Sequence, residues 1–197
     1  MGSTVLIMDQ APSAPARTLV SRARDGETDA PQELAARAGE AAYVFALQLT
    51  GRPETARDIA QDAVVRFFRS LDRFEDGRAL EPWLFSIVRN QVRDHARREK
   101  VRQHESLDAW LESGGRRAAD AEATDPAAAA ERRELQRRVW SAISGLSDAH
   151  REIVVLRDYH GLSYREIAAV LAIPEGTVMS RLHVARKRLR EILENDR

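Results

Sequence analysis

Residues 175–192 read EGTVMSRLHVARKRLREI, a run crowded with arginine. At about 100° per residue, Val178, Leu182, Ala185, Leu189 and Ile192 fall on one stripe of a helix. Ser180, His183, Val184 and Lys187 fall on the opposite side, with Met179, Arg181, Arg186 and Arg188 on the flanks. Guanidinium and ammonium groups neutralise phosphates, and short polar side chains reach base edges. The chemistry on offer is nucleic-acid binding. A solvated cationic face on an ordinary bundle helix has the same composition, so these residues alone leave both readings open.

A binding helix needs an element to hold it. Ser163 and Glu166 stand in the S-x-x-E relation of a capping box, and Leu162 and Ile167 flank it as a hydrophobic staple. A short helix therefore starts there, with Ile167, Ala168, Val170 and Leu171 on its buried side. Pro174 cannot continue that helix but suits the first position of a new one, and Glu175 favours the first turn through the helix dipole. A short helix, a tight turn and a cationic second helix make a helix-turn-helix, whose second helix enters a DNA major groove.

The chain has 197 residues, enough for one large or two small domains, and its formal net charge is zero. It has no cysteine, which excludes disulfides, Cys-ligated zinc and thiol catalysis. No apolar run approaches the roughly 20 residues of a membrane span, and Val5–Met8 lacks the basic start and apolar core of a secretory signal. Ala, Leu, Arg and Glu dominate, so the chain reads as all-α. No H-E-x-x-H, glycine-rich phosphate loop or nucleophile elbow occurs, so neither an enzyme, a metal nor a cofactor is expected.

The composition divides the chain into four. Residues 1–28 mix Ser, Pro, Ala, Arg and Asp without period and read as disordered. Residues 29–102 read as a helical domain. One helix starts near Pro31 with Asp29 as candidate cap and stops at Thr50-Gly51. A second opens at Pro53 with a stripe of Ile59, Ala63, Val64, Phe67, Phe68 and Leu71. A third opens at Pro82. The other side of the second helix carries Asp58, Gln61, Asp62 and Arg66, and the third turns basic toward its end. Residues 103–130, with Gly114-Gly115, Pro126 and acidic residues from Glu105 to Asp125, read as a flexible acidic linker. Residues 131–197 read as a four-helix domain with the helix-turn-helix last. Zero net charge thus resolves into two cationic surfaces on separate domains with an anionic tether that competes for them.

Three runs, ARDIAQDAVVRFFRSLDRF, PWLFSIVRNQVRDHARR and LSYREIAAVLAIPEGTVMSRLHVARKRL, occur in this order across such a linker. With them the chain resembles bacterial RNA polymerase sigma factors of the extracytoplasmic-function group, which keep sigma regions two and four. The resemblance implies that Asp58, Gln61, Asp62 and Arg66 dock on the clamp helices of the polymerase largest subunit. It implies that Phe74, Asp76, Arg78, Arg89, Asn90 and Arg93 open the minus-ten element and hold a flipped base. An exposed loop beside a basic helix suits unpaired bases. Trp83 reads better as a core aromatic, and Asp58 and Asp62 are also compatible with a plain solvated face. The last helix would read the minus-thirty-five element, through Thr177, Met179, Ser180, Arg181, His183, Val184, Arg186 and Lys187. Met179 and Val184 stand where many relatives carry a basic residue. Core polymerase, including its flap, promoter DNA and an anti-sigma factor are the implied partners, in the cytoplasm.

A stand-alone helix-turn-helix regulator is the competing reading, and a helical adaptor without DNA contact is another. The regulator does not explain the first domain, in which no ligand-pocket or phosphoacceptor pattern is visible, and co-purification with core polymerase separates a sigma factor from both.

Overall fold

The computed structural model describes residues 16–24, 27–74, 79–103 and 126–195. Among these all regular structure is helical, and the chain divides into two compact units, one built around four N-terminal helices and one around four C-terminal helices.

The N-terminal unit comprises α1 (Ala16–Arg24), α2 (Ala30–Thr50), α3 (Pro53–Arg69), a 3₁₀ turn (Leu71–Arg73) and α4 (Leu80–Gln103). Helix α2 is central and packs on α1, α3 and α4. It stops because Gly51 adopts a left-handed φ of 68° and donates its N–H to the Leu47 carbonyl at 2.8 Å, a conformation that glycine adopts without a Cβ clash. Pro53 then occupies the first turn of α3, where its missing N–H leaves no bond unmade. The core gathers Leu34, Phe45, Phe67, Leu84, Phe85 and Val88, all buried, with the Phe45 and Phe85 ring centroids 4.6 Å apart. Trp83 stacks at 5.0 Å from Phe67 and 5.1 Å from Phe74, as a half-buried member of this cluster.

Several boundaries differ from the sequence reading. Residues 1–28 were expected to lack structure, but α1 forms within them, with Leu19 and Val20 buried. Nine residues are too few for a decisive helical period, and tertiary packing supplies what propensity does not. Asp29 flanks α2, but its side chain makes no capping bond. Helix α4 begins at Leu80, so Pro82 sits inside its first turn. Helix α4 runs to Gln103, and α5 begins at Pro126. The tether is therefore shorter than 103–130, because alanine, the strongest helix former, carries 127–130 into the helix. The acidic charges from Glu105 to Asp125, and Asp76 and Arg78, lie outside the described residues.

The C-terminal unit comprises α5 (Pro126–Ser144), α6 (Asp148–Val154), a π turn (Val155–Tyr159), α7 (Tyr164–Leu171) and α8 (Glu175–Asn195). Helix α8 packs on α5 and α6. The Arg151 guanidinium donates to the carbonyls of Ser144 at 2.7 Å and Leu146 at 3.1 Å, satisfying acceptors that the end of α5 leaves open. The single helix expected over 148–158 is α-helical only to Val154. It then widens by one residue, and the His160 N–H donates to the Val155 carbonyl at 3.0 Å. The π turn delivers the chain to the helix-turn-helix.

Candidate nucleic-acid interface

Helices α7 and α8 meet at a bend of 97°, within the usual range for a helix-turn-helix. The start of α7 is fixed by the capping box. The Ser163 N–H donates to Glu166 Oε2 at 2.8 Å, and the Glu166 N–H donates to Ser163 Oγ at 3.3 Å. Leu162 and Ile167, the two staple residues, are both buried. Pro174 sits one position ahead of α8 rather than in its first turn, and its carbonyl accepts from Thr177 at 2.9 Å and Val178 at 3.1 Å. Pro174 has no N–H of its own that would need a partner there.

The turn itself contains no glycine. Ala172 takes a φ of 53°, a conformation that costs a residue with a Cβ about 1–2 kcal/mol. The Ile173 N–H donates to the Ala168 carbonyl at 3.1 Å across it, which is the six-to-one bond of a Schellman stop. Ala172→Gly is therefore expected to stabilise the C-terminal unit by about 0.5–1 kcal/mol, the strain relieved less the freedom that glycine adds to the unfolded chain. Urea unfolding checks this. A loss of stability would mean that the alanine methyl contributes more by packing than the backbone loses by strain.

On α8, Val178, Leu182 and Ala185 are buried, while Ser180, His183 and Lys187 face outward. Met179 is 51% and Val184 50% exposed, so the outer face combines polar, cationic and apolar groups. Thr177 and Arg181 are half-buried at its edges. The Ser180 hydroxyl donates to the Thr177 carbonyl at 3.2 Å, which leaves its lone pairs available as acceptors.

Arg186 departs from the expectation of a free phosphate ligand. Both ends of its guanidinium are held by the Asp158 carboxylate, with Nε donating to Oδ2 at 3.1 Å. That hydrogen bonding raises the Arg186 pKa above its ordinary value, against the opposing pull of burial. The pair spans 28 residues, from the π turn to α8, a separation that no local pattern encodes. Asp158→Asn would release the charge. If Arg186 then meets a phosphate, the salt dependence of promoter binding by the polymerase-bound protein should steepen by about 0.9 in log–log slope. An unchanged slope would keep position 186 away from the DNA backbone.

In the N-terminal unit, Asp58, Gln61, Asp62 and Arg66 are all exposed on one face of α3, opposite the buried Ile59, Ala63 and Phe67. Val65 lies in the middle of that face and is also exposed. Its spacing of three or four residues from Asp62, Gln61 and Arg69 is the signal in the sequence that places it there. On α4, Asn90 and Arg93 are exposed and share a stripe with Arg97. One other expected DNA contact is not on the surface: Phe74 is 5% exposed, with its ring centroid 5.1 Å from that of Trp83. The Phe74 ring is thus packed in the aromatic cluster of the core rather than presented to solvent.

Comparison with known proteins gives the chain its family. Residues 34–102 match the model of Sigma-70 region 2, and residues 136–189 match Sigma-70, region 4. The chain is 37% identical over 185 residues to the RNA polymerase sigma factor CnrH of Cupriavidus metallidurans, covering 91% of this chain and 95% of that one. It is 34% identical over 162 residues to the ECF RNA polymerase sigma factor SigE of Mycolicibacterium smegmatis, covering 82% of this chain and 60% of the relative. Among solved structures, the sigma factor RpoE of Bartonella quintana, in complex with the anti-sigma factor NepR, superposes with a TM-score of 0.69 at 31% identity. That match covers 86% of this chain and 99% of the other. With both sigma regions matched in order and a full-length relative of 37% identity, the chain belongs to the sigma-70 family, as an RNA polymerase sigma factor of the extracytoplasmic-function group.

Proposed function

We propose that this sigma factor docks on core polymerase through the α3 face of Asp58, Gln61, Asp62, Val65 and Arg66. It opens the minus-ten element with Asn90 and Arg93 on α4 and the segment that includes Asp76 and Arg78. It reads the minus-thirty-five element with the outer face of α8. The observation that carries the reading is the division of α8 into a buried stripe and a face of Ser180, His183, Val184 and Lys187, on a helix held at 97° to α7. Residues near the start of such a helix lie deepest in the groove, so Ser180 and His183 take base readout and Lys187 takes phosphate. Val184 offers apolar contact, for instance to a thymine methyl. The protein works where the polymerase is, in the cytoplasm. By analogy with the RpoE–NepR complex, an anti-sigma factor holds it inactive.

Reconstitution with core polymerase, followed by mapping of transcript starts, tests the reading. Starts should fall at a fixed distance from a shared two-element promoter. Operator binding by the free chain, with no change in start sites, would replace the sigma mechanism with that of a regulator.

A further inference from the structure

Helix α1 precedes the residues matched by the region 2 model, which begin at 34. It is nonetheless seated on α2, with Leu19 and Val20 buried. Arg22 donates from Nε to Glu27 Oε2 at 2.6 Å and lies 4.0 Å from Glu33 in the first turn of α2. Arg24, at the last position of α1, reaches much further along the chain. Its Nη2 donates to the carbonyls of both Leu71 and Phe74, the latter at 2.6 Å.

Those two carbonyls bracket the 3₁₀ turn after α3. The Phe74 N–H donates back to the Leu71 carbonyl at 3.0 Å, so Leu71 accepts from both sides of the contact. Acceptors at the end of a helix are left without intrahelical partners and are commonly met by a cationic side chain. Here one guanidinium meets the open Phe74 carbonyl and adds a second donor to the Leu71 carbonyl, which its planar fork of donors allows and a lysine ammonium does not reproduce. The turn in turn sets where the Phe74 ring lies, 5.1 Å from Trp83 in the first turn of α4. Two helical turns further along α4 is Asn90.

We propose that α1 braces the minus-ten site, with Arg24 as a positioning residue that locks the turn leading into Phe74 and so fixes Phe74 on the Trp83 end of α4. The inference rests on the minus-ten reading given above. Arg24 touches no DNA. It holds the platform from which the strand-opening residues project, and it does so from a segment outside the matched family region.

The test uses the full chain with core polymerase, on a duplex promoter and on a pre-melted template, with Asn90→Ala as the reference variant. Arg24→Gln should slow opening of the duplex about five- to tenfold, as the loss of charged hydrogen bonds at a part-buried turn would. It should leave affinity for core within about twofold and be rescued by pre-melting. Arg24→Lys should fall between Arg24→Gln and the parent. In the free protein, amide exchange at Arg73 and Phe74 should accelerate in Arg24→Gln. Equal losses on both templates together with weaker core binding would reduce Arg24 to a general fold contact and overturn the proposal. A defect in Asn90→Ala with none in Arg24→Gln would overturn it while leaving the minus-ten reading standing. No defect in either would remove that reading and the brace with it.

Discussion

Reversing Asp58 and Asp62 to lysine is expected to weaken binding to core polymerase about a hundredfold. Both carboxylates are exposed on α3, one turn apart, beside exposed Val65. A partner surface that accepts two anions meets two cations instead, and like-charge juxtaposition at an interface costs several kcal/mol. About 3 kcal/mol corresponds to roughly that loss of affinity. Lysine is a better helix former than aspartate, so α3 itself is not weakened. Fluorescence anisotropy with labelled protein measures the effect, and circular dichroism confirms the helix. Glu40→Lys serves as the control, because Glu40 is an exposed carboxylate on α2 rather than on this α3 face. It should change affinity only slightly. An unaltered affinity in the double variant would remove this face from the interface.

The second large effect concerns acid. Burial lowers the His160 pKa from 6.5 to about 4, so the folded protein holds a neutral imidazole there. The ring lies 4.9 Å from Tyr159, which in turn meets Trp140 at 5.6 Å. Below pH 6.5 the unfolded chain takes up a proton at this site that the folded chain refuses until pH 4. The unfolded state thus binds more protons in that window, and stability falls as pH falls. The contribution is full above 6.5, declines between 6.5 and 4, and is gone below 4. Across the window the loss amounts to about 3 kcal/mol. Urea unfolding of the full chain at pH 7 and pH 4.5 should show most of it, and His160→Gln should flatten the dependence. The same loss in both proteins would trace acid sensitivity to other groups.

Features specified within one helical turn were legible in the sequence. Gly51 announces the end of α2, the Ser163–Glu166 box announces α7, and the spacing of Val178, Leu182 and Ala185 announces the inner side of α8. With that inner side known, the outward position of Ser180, His183, Val184 and Lys187 follows from helical geometry. Features set by distant parts of the chain were not legible. Arg24 meets carbonyls 47 and 50 residues away, and Arg186 meets a carboxylate 28 residues away. Phe74 stands beside a run of charged residues and reads as a loop aromatic, but Trp83 draws it inward. Asp29 shows the limit of local signals too: the residue type is right for a cap, and its side chain makes no capping bond.

The turn from Ala172 to Pro174 has three residues, closed by the bond from Ile173 to Ala168. Its length therefore sets a phase as well as an angle. Replacing Ser180 or Lys187 alters one contact and leaves its neighbours in place. Adding or removing one residue in the turn would rotate α8 by about 100° about its own axis. That rotation would swing Val178, Leu182 and Ala185 out of the core and turn the outward set of Ser180, His183, Val184 and Lys187 through the same angle. Single substitutions on the outer face of α8 thus leave the rest of that face in place, while the number of residues between Leu171 and Glu175 decides which residues form it.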